Sequence, residues 1–247
     1  WVGFVLDLRA QRRIDHLKSE FISVVSHELR TPLTSIRGSL GLLEGGMAGE
    51  LPPKALHLIG IAHKNSQRLV ALVNDILDME KLASGKMTLH MERQDLVQLA
   101  QQAIEANAPY ATGFGVNIEL GAVPLQAPVV ADADRLMQVF ANLLSNAAKF
   151  SPSGQMVSVR IRESGKEIRV EVEDRGRGIP QAFREHIFGR FAQADASATR
   201  HVEGAGLGLN ITRMLVEKMQ GKIGFESEEG RGSVFWFSLP RLEPESE

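Results

Sequence analysis

The chain has 247 residues, 43% of them hydrophobic and 23% charged, with a formal net charge of -2. That composition describes one large or two modest folded domains and argues against a disordered chain or one with a nucleic-acid-binding face. Cysteine is absent, which excludes disulfides, thiolate metal sites and thiol catalysis and fits a reducing compartment.

No apolar run approaches the ~18 residues of a membrane-spanning helix. Trp1 to Leu8 also lacks the basic lead of a secretion signal. A start at Trp1-Val2-Gly3-Phe4 reads as a piece of something longer. The fragment is therefore expected to be cytoplasmic, and a membrane-anchored parent stays compatible with it.

Trp1 to Arg9 is rich in strand formers and reads either as the last strand of an upstream domain or as a frayed helix start. From Ala10 the pattern turns helical. Leu17, Phe21, Val25, Leu29, Leu33, Ile36, Leu40 and Leu43 recur three or four apart and make one stripe. His27 lies off that stripe beside Glu28, so an outward imidazole next to a carboxylate is expected, a pair able to serve as nucleophile and base. Such neighbours are also common on helix surfaces without any chemistry. Pro32 should bend the helix without ending it, because the apolar spacing resumes at Leu33.

Gly45, Gly46, Gly49, Pro52 and Pro53 mark a turn. Ile59, Ala62, Ser66, Leu69, Val73 and Ile76 then form a coiled-coil-like seam in a second long helix. A hairpin this thin has little core alone. Pairing two of them into a four-helix bundle buries both stripes, so a homodimer is expected. The alternative is packing of both helices on the rest of the same chain.

Ser84-Gly85 breaks the second helix. Met87, Leu89 and Met91 predict a short strand, and residues 96–107 a helix ended by Pro109. Further strands are expected around Val116, Ile118 and Leu120 and at Val129-Val130. Asp132 or Asp134 then caps a helix that buries Leu136, Val139, Phe140, Leu143, Leu144 and Ala147. Val157, Val159 and Ile161 alternate, as do Ile168, Val170 and Val172, which predicts a hairpin. Residues 207–219 read as a helix, and Ile223, Phe225, Val234, Phe235 and Phe237 as two final strands. The sum is a multidomain protein: a helical hairpin followed by an α+β sandwich with one helical face. The order is not doubly wound, and no Gly-x-x-x-x-Gly-Lys-Ser/Thr loop occurs.

Four polar or glycine-rich segments stand apart from this framework. Asn142, Asn146 and Lys149 share one helix face, a set suited to a hydrated magnesium ion and phosphate oxygens, or else the asparagines bond locally. Asp174-Arg175-Gly176-Arg177-Gly178-Ile179-Pro180 follows a strand. Its aspartate can accept from the amino group of a flat base that its glycines let approach, although a plain tight turn uses the same glycines. Gly204-Ala205-Gly206-Leu207-Gly208-Leu209 opens a helix, where free amides suit a polyphosphate. Phe188-Gly189-Arg190-Phe191 precedes a polar run to Glu203 that lacks core residues and reads as a lid, with Arg200 either on phosphate or simply at the surface.

In this order the segments resemble the kinase core of bacterial two-component sensor histidine kinases, over roughly Ile14 to Leu239. His27-Glu28-Leu29-Arg30-Thr31-Pro32-Leu33 looks like the phosphoacceptor box. Asn142 to Phe150 looks like the asparagine box, Asp174 to Pro180 like the first glycine box, and Phe188 to Phe191 like the phenylalanine box. Gly204 to Leu209 and Gly230-Arg231-Gly232-Ser233 complete the set. The resemblance implies a dimeric phosphoacceptor hairpin joined to an ATP-binding sandwich of the type shared with gyrase, Hsp90 and MutL.

It further implies an enzyme that phosphorylates its own His27 from Mg-ATP, with Glu28 as base. Asn146 is the implied magnesium ligand, with Asn142 near the ion or phosphates and Lys149 toward the phosphates. Asp174 reads the adenine amino group, supported by Gly176 and Gly178, and Gly204, Gly206 and Gly208 shape the phosphate end. Thr31 matches a position that orients water for dephosphorylating a partner. The implied partners are a second copy of the chain, the receiver domain of a response regulator whose aspartate takes the phosphoryl group, and an upstream sensor domain, with no nucleic acid. Arg175 and Arg177 occupy positions often smaller or uncharged in the family, and Ala205 replaces a common threonine. The expected divisions are 1–13 for a linker or sensor end, 14–85 for the dimerisation and phosphoacceptor domain, 86–240 for the ATP domain, and 241–247 for a tail. A phosphatase-biased member of the family and a non-catalytic nucleotide-binding scaffold are the competing readings.

Overall fold

A computed structural model describes residues 25, 26, 28–47, 49–192 and 206–242. Its internal contacts divide the chain into two compact units, Trp1–Met87 and Thr88–Glu247. The expected strand at Trp1 to Arg9, His27 itself, most of the lid run and the 243–247 tail lie outside the described residues.

In the first unit, helix α1 is continuous over residues 28–44 and runs through Pro32. Left-handed Gly46 (φ 81°) and Gly49 (φ 87°) turn the chain. Helix α2, Pro53–Ala83, then starts on a proline, whose fixed φ and missing N–H suit a first helical position. It stops where the Ser84 hydroxyl donates to Glu80 O (2.7 Å) and Gly85 turns left-handed (φ 70°). Ser66 and Val73 of the expected seam are buried, but Leu69 stays 48% exposed. Leu29 and Ile36 of the α1 stripe are 47% and 50% exposed, so this chain alone leaves much of the apolar stripe uncovered. No helix among the described residues is long and apolar enough to cross a membrane.

The second unit is built on a five-stranded sheet in the order β2-β4-β5-β7-β6. Its strands are β2 (Asn117–Leu120), β4 (Met156–Ser164), β5 (Glu167–Asp174), β6 (Lys222–Glu228) and β7 (Gly232–Pro240). β2 lies parallel to β4 and every other pair is antiparallel. A separate pair joins β1 (Glu92–Asp95) to β3 (Pro128–Ala131).

Alternation places Val157, Val159, Ile161, Ile168, Val170, Val172, Phe237 and Leu239 in the core. Helices α3 (Leu96–Gly113), α4 (Ala133–Phe150) and α5 (Gly208–Lys218) supply its other layer, with α4 central between the other two. Asp132 caps α4 by accepting from the Arg135 amide at 3.1 Å. The α4 stripe, Leu136, Val139, Phe140, Leu143, Leu144 and Ala147, is buried as the spacing requires. Phe140 meets Phe237 edge-on at 5.5 Å between ring centroids. A helical hairpin followed by an α+β sandwich is the architecture the sequence predicts.

Two element boundaries differ from expectation. Residues 87–91 form no strand, and pairing begins only at Glu92. The available partner β3 has four residues and is fully used by Glu92–Asp95, while the His90 amide is held by the Asp132 carboxylate (2.8 Å). Helix α3 does not end before Pro109 but runs on to Gly113. The carbonyl that Pro109 leaves unbonded belongs to Glu105 on the exposed side, where water can satisfy it, and Ala111 beyond it is buried at 1% exposure.

Candidate functional site

Because the leucines and Phe140 of α4 take the inward face, Asn142, Asn146 and Lys149 are left on its half-buried flank. At 1.5 Å per residue this polar row is ~10 Å long. The other conspicuous segments meet it along its length.

At the C-terminal end of α4 lies the loop after β5. A side chain at Gly176 would stand 2.5 Å from the Phe150 carbonyl oxygen and 2.7 Å from Asp174 Oδ1, so only glycine lets the loop lie this close. Gly178 is left-handed (φ 69°) and packs on the backbone of Glu228. Lys149 and Arg177 each place their cation over the Phe150 ring, at 5.1 and 5.4 Å.

Asp174 itself is buried at 6% exposure. Its carboxylate accepts the Gly176 amide at 2.8 Å and also the Ser233 amide. Burial pushes its pKa up to about 6, the two amides pull against that, and neighbouring Glu173 adds to the rise. A buried carboxylate with backbone donors fixing its orientation is a specific acceptor for a ligand N–H.

At the other end of the row, Asn142 spends its amide hydrogens on Gly208 O (3.3 Å) and Thr212 Oγ1 (3.2 Å), tying α4 to the start of α5. Thr212 in turn donates to Gly208 O at 2.8 Å. A Cβ on Gly208 would press on the Asn142 amide oxygen at 3.3 Å. Helix α5 has no side-chain cap, and its first internal bond is Ile211 N–H to Leu207 O (2.9 Å). The amides of Gly208, Leu209 and Asn210 thus precede the helix's own bonding and suit an anion. Gly206 is left-handed (φ 70°), and its Cβ position falls 2.7 Å from Ala192 O.

Asn146 is half-buried on the same flank. Its amide oxygen is a hard ligand of the kind magnesium accepts alongside water and phosphate oxygens. The two aromatics after β5 part company. Phe188 packs at 6.0 Å from Phe225 and is held by Asn210 Nδ2 on its carbonyl (2.8 Å), whereas Phe191 is 63% exposed with φ 57°.

The structure therefore brings together Asn142, Asn146, Lys149, Asp174, Gly176, Gly178, Gly206 and Gly208. Gly204, Ala205 and Arg200 lie outside the described residues, as does His27. On α1, Glu28 and Thr31 are exposed, and Arg30 donates to Asn74 Oδ1 of α2 at 3.0 Å. Thr212 was not legible as part of this arrangement, since nothing in a helix interior marks a residue that reaches across to another element, whereas Ser233 stands in the Gly230 to Ser233 segment noted in the sequence and enters through its backbone amide.

The two-unit architecture and this arrangement define a class. Residues 17–85 match the His Kinase A (phospho-acceptor) domain, and residues 131–243 match the Histidine kinase-, DNA gyrase B-, and HSP90-like ATPase family. The chain belongs to the histidine kinases and carries their phosphoacceptor and ATPase-type domains.

Among particular relatives, it is 36% identical to the sensor histidine kinase GacS of Pseudomonas protegens over 95% of this chain and 26% of that protein. The signal transduction histidine-protein kinase BarA of Escherichia coli is similar to the same degree and over the same shares. The chain thus spans about a quarter of the length of these relatives. Full-length ShkA in complex with AMPPNP matches 90% of this chain and 46% of its own, at TM-score 0.75 and 32% identity. The Acinetobacter baumannii histidine kinase AdeS shares the fold, at TM-score 0.61 and 22% identity over 87% of this chain.

Proposed function

We propose that this chain is the catalytic core of a sensor kinase that transfers the γ-phosphoryl group of ATP to His27 and passes it to an aspartate of a response regulator. The observation that carries the reading is Asp174: a buried, backbone-oriented carboxylate behind a glycine that admits no side chain, in the same chain as a matched phosphoacceptor domain. In this reading Asp174 accepts the adenine amino hydrogen, and Gly176 and Gly178 let the base lie against the backbone. Gly204, Gly206 and Gly208 shape the phosphate end, where the first amides of α5 receive oxygens. Lys149 adds positive charge toward the phosphates, and Asn142 holds the α5 start in place.

Asn146 would hold a magnesium ion, which when bound neutralises charge on the phosphate oxygens. An imidazole nitrogen of His27 attacks the γ-phosphorus in line. The new N–P bond forms as the bond to the β,γ-bridging oxygen breaks, ADP leaves, and the displaced imidazole proton passes to Glu28. An unperturbed imidazole, pKa about 6.5, is largely neutral at pH 7 and ready to attack. Delivery requires the ATP domain to reach the hairpin, with Ser84-Gly85 as the hinge.

The half-exposed stripe residues Leu29, Ile36 and Leu69 support pairing of two hairpins into a homodimeric four-helix bundle. The divisions proposed are 1–13, 14–85, 86–240 and 241–247, with a sensor domain upstream. Thr31, exposed on α1 one turn beyond the histidine, favours a second activity, removal of phosphate from the regulator.

Incubation with γ-labelled ATP and magnesium tests the reading. Acid-labile, alkali-stable label is expected on the chain, lost in His27→Ala and in Asn146→Ala. Label that survives acid, or that persists in His27→Ala, would overturn it.

A further inference from the structure

The segment that carries Asp174 is a loop, yet it is clamped from outside the candidate site. Ile179, at its end, has both backbone groups taken: its N–H donates to Ser227 Oγ (2.9 Å) and its carbonyl accepts from Arg184 Nε (3.2 Å). The same guanidinium donates through a second nitrogen to the carbonyl of Ser227 (2.8 Å). One planar fork therefore bridges the glycine loop to the end of β6, a geometry a single ammonium could not reproduce.

The Ser227 hydroxyl extends the connection. It contacts Gly232 O at 3.0 Å and Ser233 Oγ at 2.9 Å. The backbone N–H of Ser233 is one of the two donors that orient the Asp174 carboxylate. Alongside, the Gly230 amide donates to Arg177 O at 2.8 Å, and Gly232, at φ 116°, packs on the Asp174 carbonyl. From Arg184 to the carboxylate the chain of contacts is unbroken, and neither Arg184 nor Ser227 belongs to the polar row of α4 or the α5 start.

We infer that Arg184 and Ser227 are positioning residues for base recognition, fixing the loop so that the Asp174 carboxylate meets the 6-amino group of adenine. The inference rests on the nucleotide reading given above and assigns a specificity role to two residues outside the set given there to nucleotide binding. A loop held this way is preorganised, and loosening it lowers the gain from one directed hydrogen bond more than the binding of the triphosphate.

The test compares calorimetric affinities of the full 247-residue chain for ATP and for purine riboside triphosphate, which lacks only the amino group. The preference of the unaltered chain for ATP should be about tenfold, the worth of one well-made hydrogen bond. In Ser227→Ala and Arg184→Met this preference collapses toward unity while affinity for the purine analogue stays near that of the unaltered chain. Ser227→Thr, which keeps the hydroxyl, restores the preference. If both variants keep the preference, or weaken both nucleotides equally, the clamp has no role in base recognition and the inference fails. Asp174→Asn separates the two levels. Should it lose the preference while the clamp variants keep it, the nucleotide reading stands alone; should it keep the preference, that reading falls and the clamp with it.

Discussion

Lowering the pH should weaken adenine binding at a point set by Asp174, and the size of the effect follows from its burial. Its pKa stands at about 6 against an ordinary 3.8. The ionised form is the stronger acceptor for the adenine amino hydrogen, by about tenfold in affinity. Near pH 7 roughly nine-tenths of the molecules are ionised, whereas near pH 5 roughly one in eleven is, so with a protonated site that binds about tenfold more weakly the apparent affinity should fall about fivefold across that interval. With an unperturbed carboxyl the same interval would cost almost nothing.

Titration calorimetry at several pH values measures this, with purine riboside triphosphate as reference because it carries the same titrating triphosphate. The ratio of the two affinities should follow a single ionisation near pH 6, and Asp174→Asn should make it small and flat. A ratio independent of pH between about 5 and 7 would refute the argument that burial controls this carboxylate. The same shift acts on stability with a definite sign. A carboxyl whose folded pKa is raised favours folding below its unfolded pKa of 3.8 and loses that contribution as pH rises through about 6. Its full loss is on the order of 3 kcal/mol.

Other consequences can be checked independently. Gly232→Ala puts a Cβ onto the Asp174 carbonyl at φ 116°, so chemical denaturation should show a loss of at least about 1–3 kcal/mol. Phe140→Ala removes a fully buried ring packed on Phe237, and urea unfolding of the chain should register a loss of about 3–5 kcal/mol. Asn142→Ala deletes the bonds to Gly208 and Thr212. Amide exchange at the start of α5 should then accelerate about tenfold, with little change in β4 or β5.

The sandwich was readable because its strands alternate cleanly. Val157-Val159-Ile161 and Ile168-Val170-Val172 can bury only one face, and the register found pairs them so. The α4 stripe was equally plain, since a helix with seven buried positions on one side leaves Asn142, Asn146 and Lys149 no choice of flank. Local pattern misled where the deciding factor was distant. Met87, Leu89 and Met91 alternate like a strand, but β3 is too short to pair with them. Pro109 reads as a stop, but the exposed side of α3 tolerates the unbonded carbonyl while Ala111 is held in the core. The glycines of the loop after β5 were conspicuous in sequence. Arg184 and Ser227 were not, because their partners are backbone groups, which no side-chain pattern announces.

The most direct measurement is localisation of the phosphate after incubation with Mg-ATP. Fragmentation mass spectrometry under conditions that preserve phosphoramidates should place it on the imidazole of His27. Phosphate found on Ser23, Ser26 or Thr31 instead, or no modification of this peptide in a chain that binds ATP and pairs as a dimer, would contradict the account.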